Sequence, residues 1–281
     1  MRVVTLILVS AAILFAFSPA FAKEPALRTT PDGRPLRLVF DDDFSSFRLW
    51  GQEYGLWRTT YGDGTQLGLD RRNLPSNGEL EIYVDGNLTD AQGHIGLNPF
   101  HIRNGQLDIL AAPTPVALRS RLNDYPYVSG MISSQPSFSQ LYGYFEMRAR
   151  LPDGRGLWPA FWLLPKDLSW PPEIDVMESV GDSSRVYSTA HSNLKPAVEI
   201  EAHVTPNQFH TYAVSWDAER LIFYVDNRKT GEQTTPADFT KPMYMIANLA
   251  IGGNWAGAPE GATAFPAKLT IDYIRAYKFS R

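Results

Sequence analysis

The sequence predicts an all-β sandwich or barrel. Short apolar runs alternate with polar residues at period two, and Gly, Pro and Asn turn signals separate them at close intervals. After the N-terminal apolar run, no stretch of roughly ten residues carries a helical period.

The elements follow in order. Arg2, the apolar run from Val3 to Phe17 and the small-x-small pattern Ala20-Phe21-Ala22 read as a secretory signal over residues 1–22, cleaved before Lys23. The run is short for a membrane span, which needs about 20 residues. The expectation is therefore a secreted protein, extracellular or periplasmic, that leaves the membrane after cleavage. Residues 23–35 are polar and proline-containing and predict a linker. Leu36 to Phe40 opens the first strand. Leu80, Ile82 and Val84 alternate in the next, and the runs from Leu107 to Ala112 and from Tyr142 to Leu151 follow. Thr211 to Trp216 and Leu221 to Val225 read as a hairpin turning at Asp217 to Arg220. Leu269, Ile271, Tyr273 and Tyr277 mark the last strand. Composition does not shift and no repeat occurs, so residues 36–281 predict one domain, expected as a monomer.

Composition excludes several chemistries. The 281 residues hold no Cys, which removes disulfides, thiolate metal sites and a cysteine nucleophile. The formal net charge is −4. Loss of residues 1–22 removes Arg2 and no acid, which gives −5. An acidic chain without a basic stripe is a poor partner for nucleic acid. No nucleophile elbow, zinc-protease helix or phosphate-binding loop occurs.

One segment breaks the apolar pattern. Glu173-Ile174-Asp175-Val176-Met177-Glu178 places three carboxylates on a strand that otherwise reads as buried, where unpaired charge is costly. Trp158, Trp162 and Trp170 precede it. Paired acids beside a row of indoles suggest chemistry on a sugar. Strict alternation would send Glu178 to the face opposite Glu173 and Asp175. One extra residue, a β-bulge, restores it. The two Glu residues are then about 13 Å apart at Cα, and side chains reaching roughly 4 Å each would close that to about 5 Å. Such a gap suits a retaining glycosidase rather than an inverting one.

Glu-x-Asp-x-x-Glu resembles the bulged signature of glycoside hydrolase family 16. The likeness extends to Leu141 through Arg148, Gly156 through Pro165, Asn248 through Trp255 and Ile271 through Arg275. It implies a β-jelly-roll sandwich of two antiparallel sheets with a concave cleft for a β-glucan chain. It also implies Glu173 as nucleophile, Asp175 as its assistant and Glu178 as acid/base. Trp158, Trp162, Trp170 and Trp255 are candidates to stack on or wall the sugar. Glu146 and Arg148, which share a strand face, Asn77 in Ser-Asn-Gly-Glu-Leu, and His191 match binding positions by resemblance. Asp43 and Asp272 match a structural calcium site, although Asp43 is shorter than the usual Glu; no cofactor is otherwise expected. The expected partner is a polysaccharide. The run Trp-Pro-Pro-Glu-Ile-Asp-Val-Met-Glu most resembles the family's bacterial endo-1,3-1,4-β-glycanases and exopolysaccharide depolymerases. A laminarinase, a transglycosylase and a non-catalytic glucan-binding module are the alternatives.

Overall fold

The computed structural model describes residues 23–64 and 68–280. The expected signal, residues 1–22, lies outside them. Two sheets stack face to face, so the sandwich rather than the barrel is formed. Helix among the described residues is confined to two 3-10 segments, Pro75–Asn77 and Val116–Leu122.

The larger sheet runs Arg228–Thr234, Arg220–Val225, His210–Trp216, Gly143–Arg150, Ala267–Phe279 and Gln106–Pro113, then Tyr127–Ser129 and Glu81–Tyr83. Leu36–Asp42 also pairs with Ala267–Phe279, and Phe100–Arg103 with Gln106–Pro113. The expected hairpin is present, with Tyr212 opposite Val225 and Trp216 opposite Leu221. One feature departs from the wholly antiparallel expectation: Glu81–Tyr83 pairs with Tyr127–Ser129 in parallel. The smaller sheet is antiparallel throughout, in the order Ile200–His203, Arg185–His191, Glu173–Glu178, Leu157–Pro165, Met243–Ile251 and Met131–Ser133.

Period-two alternation gives the smaller sheet two different faces. Leu157, Phe161 and Leu163, with Met243, Met245, Ala247, Leu249 and Ile251, point into the core between the sheets. Trp158, Ala160, Trp162 and Leu164, with Tyr244, Asn248 and Ala250, line a cleft on the other face. Phe161 is fully buried in that core, and its truncation to Ala is expected to cost about 3–5 kcal/mol.

The 23–35 segment is not a free linker. Ala26 and Leu27 pack on a second apolar cluster on the outer face of the larger sheet, with Leu36, Tyr144, Tyr224 and Tyr277. Arg34 Nη1 donates to Asp217 at 2.5 Å, and Arg275 Nη2 donates to the Glu24 carbonyl. A polar sequence conceals these contacts because most of them join positions far apart in the chain.

A buried pair pins the cleft rim. Arg72 Nη1 lies 2.9 Å from Asp85 Oδ2, which also accepts from Thr59 Oγ1. Removing one partner of so buried a pair costs about 3–5 kcal/mol. The chain between these residues carries the Asn77 turn to the cleft.

Candidate active site

The cleft encloses about 790 Å³, and the acidic strand forms its wall. The expected bulge is present. On one side Phe161 faces Met177 and Trp162 faces Asp175, which leaves Val176 without a partner. On the other side Asp175 faces Thr189 and Glu178 faces Tyr187, again one residue out of step. Ser188 Oγ donates to the Val176 carbonyl at 2.8 Å, so the bulge leaves no stranded acceptor there. Val176 and Met177 are consecutive and both buried in the core. Glu173, Asp175 and Glu178 therefore all line the cleft.

Each outer carboxylate has its own indole. Trp158 Nε1 donates to Glu178 Oε1 at 2.9 Å, and Trp170 Nε1 donates to Glu173 Oε2 at 2.7 Å. Trp158 stands edge-on to Trp255, with ring centroids 5.6 Å apart. Gly253 makes room for it: a Cβ there would meet the Trp158 ring at 2.9 Å, and its φ of 102° also excludes most side chains. Trp162 is buried in the cleft floor, and its Nε1 donates to Asn248 Oδ1 at 2.8 Å. Asn248 Nδ2 in turn donates to the Tyr83 hydroxyl.

Between the two Glu residues, Asp175 is 3% exposed. His191 Nε2 approaches its Oδ2 to 3.0 Å, a close contact without hydrogen-bond alignment. Burial, and then the charge of Asp175, push the Glu173 carboxyl well above the usual range. Burial and then Glu178 do the same to Asp175. Burial pushes Glu178 up to about 8, against the lowering pull of the Trp158 indole. Three acids so close share few charges among them, so their protons belong to the group rather than to single residues. Glu173, Asp175 and His191 each bring a ligand atom within 4.8 Å of the others. That spacing lets the cluster hold a proton in common.

Asn77 reaches the cleft, where its Nδ2 donates to Glu79 Oε1 at 3.0 Å. Glu79 also lines the cleft and was missed in the sequence. The signal was there: Glu79, Glu81 and Tyr83 occupy the face opposite Ile82 and Val84. Asn248 was equally visible as an amide in the otherwise apolar Met243–Ile251 strand. Tyr61, Tyr244 and Glu199 carried no comparable mark.

Glu146 and Arg148 are corrected. They share a face as expected, but it is the outer face of the larger sheet, away from the cleft. Glu146 is buried and accepts from the Tyr277 hydroxyl at 2.7 Å. Arg148 Nη1 donates to Asp272 Oδ2 at 2.9 Å, and its Nε lies 3.5 Å from Glu24. Parity fixes which residues share a face, not which sheet carries them. The calcium pair does not fit either. Asp272 Oδ1 accepts from the Lys23 ammonium and Oδ2 from Arg148, while Asp43 Oδ1 accepts from the Ser45 N–H. Both oxygens of the intended acidic ligand are already held by cations.

The family model for glycosyl hydrolases family 16 matches residues 80–275. The chain belongs to that family. It is 41% identical over 255 residues to the endo-1,3-1,4-beta-glycanase ExsH of Rhizobium meliloti, covering 89% of this chain and 53% of that protein. The endo-1,3-1,4-beta-glycanase EglC of the same organism is also 41% identical, over 251 residues, covering 88% and 52%. The chain thus spans about half the length of these curated relatives. Among solved structures, the laminarinase catalytic domain of Thermotoga maritima superposes with a TM-score of 0.71 at 30% identity, over 88% of this chain and 99% of that one. The endo-beta-1,3-glucanase of Pyrococcus furiosus gives 0.73 at 28%, over 89% and 97%. The family 16 sandwich is therefore the jelly-roll that the sequence led us to expect.

Proposed function

We propose that this chain is a retaining, endo-acting β-glycanase that hydrolyses β-1,3/1,4-linked glucan or a bacterial exopolysaccharide by double displacement. The observation that carries the reading is the bulge at Val176, which turns Glu178 into the cleft beside Glu173 and Asp175. Family membership and the 41% identical endo-1,3-1,4-beta-glycanases support the substrate class.

The chemistry follows from the environments. Burial raises Glu173 and Asp175 together, so the pair holds its protons in common; the reactive form is the one in which Asp175 carries the proton and Glu173 is the carboxylate, with the Trp170 indole donating to its Oε2. Glu173 attacks the anomeric carbon. The glycosidic C–O bond breaks, and Glu178, protonated at neutral pH because burial raises it, gives its proton to the leaving oxygen. Glu178, now a carboxylate, takes a proton from water. The water oxygen bonds to the anomeric carbon and Glu173 departs, which restores both residues. Trp158, Trp162, Trp170 and Trp255 offer apolar plates to the pyranose faces, and Asn77 and Glu79 offer hydrogen bonds to hydroxyls.

We also propose export, on the charged, apolar and small-x-small order of residues 1–22. Digestion of laminarin, lichenan, agarose and an acidic exopolysaccharide, with linkage analysis of the products, tests the activity. Oligosaccharides released from a mixed-linkage or exopolysaccharide substrate by the wild type, and absent with Glu173→Gln, are expected. Hydrolysis retained by Glu173→Gln would end the reading.

A further inference from the structure

Lys23 sends its side chain to a point on the outer face of the larger sheet where three oxygens converge. Its Nζ donates to Gly105 O, Asp272 O and Asp272 Oδ1, each at 2.6 Å. Gly105 lies in the tight turn between Phe100–Arg103 and Gln106–Pro113, and a Cβ there would come within 3.7 Å of Lys23 Cε. Two main-chain carbonyls and one carboxylate form an acceptor-only set, which requires a cation or donors to fill it. Hard divalent cations select such oxygen ligands. A protonated lysine offers three N–H donors and matches three acceptors as well.

The charges around the set are already balanced without a metal. Asp272 meets Lys23 on one oxygen and Arg148 on the other. The Lys23 charge also contributes to holding the Asp43 carboxyl below its ordinary range, after the Ser45 backbone hydrogen bond. With a cation on each of its oxygens, Asp272, the one carboxylate of the set, carries no surplus negative charge to attract a divalent ion. Such an ion could enter only by displacing the ammonium.

We propose that Lys23 is a built-in cation. Its ammonium fills the oxygen cage at Gly105 and Asp272, makes the sandwich independent of divalent metal, and staples the 23–35 segment to the sheet. The proposal does not rest on the catalytic reading.

Thermal unfolding and calorimetric calcium titration of the purified protein test it. The wild type should unfold at the same temperature in EDTA and in millimolar calcium, and show no heat of binding. Lys23→Met keeps the stem and removes the charge. In EDTA it should unfold about 2–4 °C lower than the wild type, and calcium should recover that loss with one-site binding. Adding Asp272→Asn to Lys23→Met should abolish the calcium response. A wild-type melting temperature that rises with calcium or falls with EDTA overturns the proposal and needs no variant to do so. A Lys23→Met protein that matches the wild type in EDTA, or ignores calcium, also overturns it.

Discussion

Two charged clusters lie on opposite sides of this sandwich, and they are built to opposite rules. On the outer face of the larger sheet Asp272 lies between Lys23 and Arg148 and Asp41 meets Arg275, while Glu146 is held under the Tyr277 hydroxyl. In the cleft, Glu173, Asp175 and Glu178 meet indoles, a histidine and one another, with no Lys or Arg partner among the described contacts. The first arrangement holds structure together. The second leaves its protons easy to move, as acid/base and nucleophilic chemistry demands. A row of charges on a strand becomes a functional candidate through what neutralises it, not through its spacing alone.

The sharpest way to break this contrast is to neutralise one acid on each side. Glu173→Gln should lower kcat by roughly 10⁴-fold or more while the protein stays folded and binds glucan. Glu146→Gln should leave kcat within about twofold, because its carboxyl touches Tyr277 rather than substrate. Steady-state kinetics and a binding assay on both variants separate the two outcomes. A large kcat loss in Glu146→Gln would erase the distinction.

A smaller effect sharpens it. Trp158→Phe keeps an aromatic plate but removes the indole donor to Glu178. That donor lowers the Glu178 pKa, so its loss should move the alkaline limb of the kcat/KM profile upward from about 8 and reduce kcat by about tenfold. An unmoved limb would show that the indole does not tune the acid.

Much of this contrast was legible beforehand. The acids at 173, 175 and 178 could be given one face because alternation fails at Val176 and a single bulge repairs it. Trp158 and Trp162 reach the cleft by the same period-two alternation, whereas Asn77 stands in a 3-10 turn and was legible only through the family resemblance. Glu146 and Arg148 could not be placed that way. Their strand obeys parity, but the sheet it joins depends on pairing with Ala267–Phe279, more than a hundred residues away. Lys23 was invisible as a structural residue because its three acceptors belong to Gly105 and Asp272.

Two stability tests complete the comparison. Burial raises the Glu146 carboxyl to about 7 in the folded protein. The protonated form therefore favours folding. Its contribution is full below the ordinary glutamate range and is lost as pH rises through about 7. Glu146→Gln should flatten that decline in a melting-temperature series across pH. A slope equal to the wild type's would contradict it. Arg148→Ala should cost only about 1 kcal/mol, since Asp272 keeps Lys23, and leave kcat unchanged; denaturant unfolding checks it. A loss of catalysis here would return Arg148 to the substrate path.

In the double displacement Glu173 attacks and Glu178 shuttles the proton. Proton NMR of the anomeric region during the first turnovers on a β-glucan tests it most directly. The β-anomer should appear first, with the α-anomer following only by mutarotation. An α-anomer at first appearance would mean inversion and would contradict the double displacement.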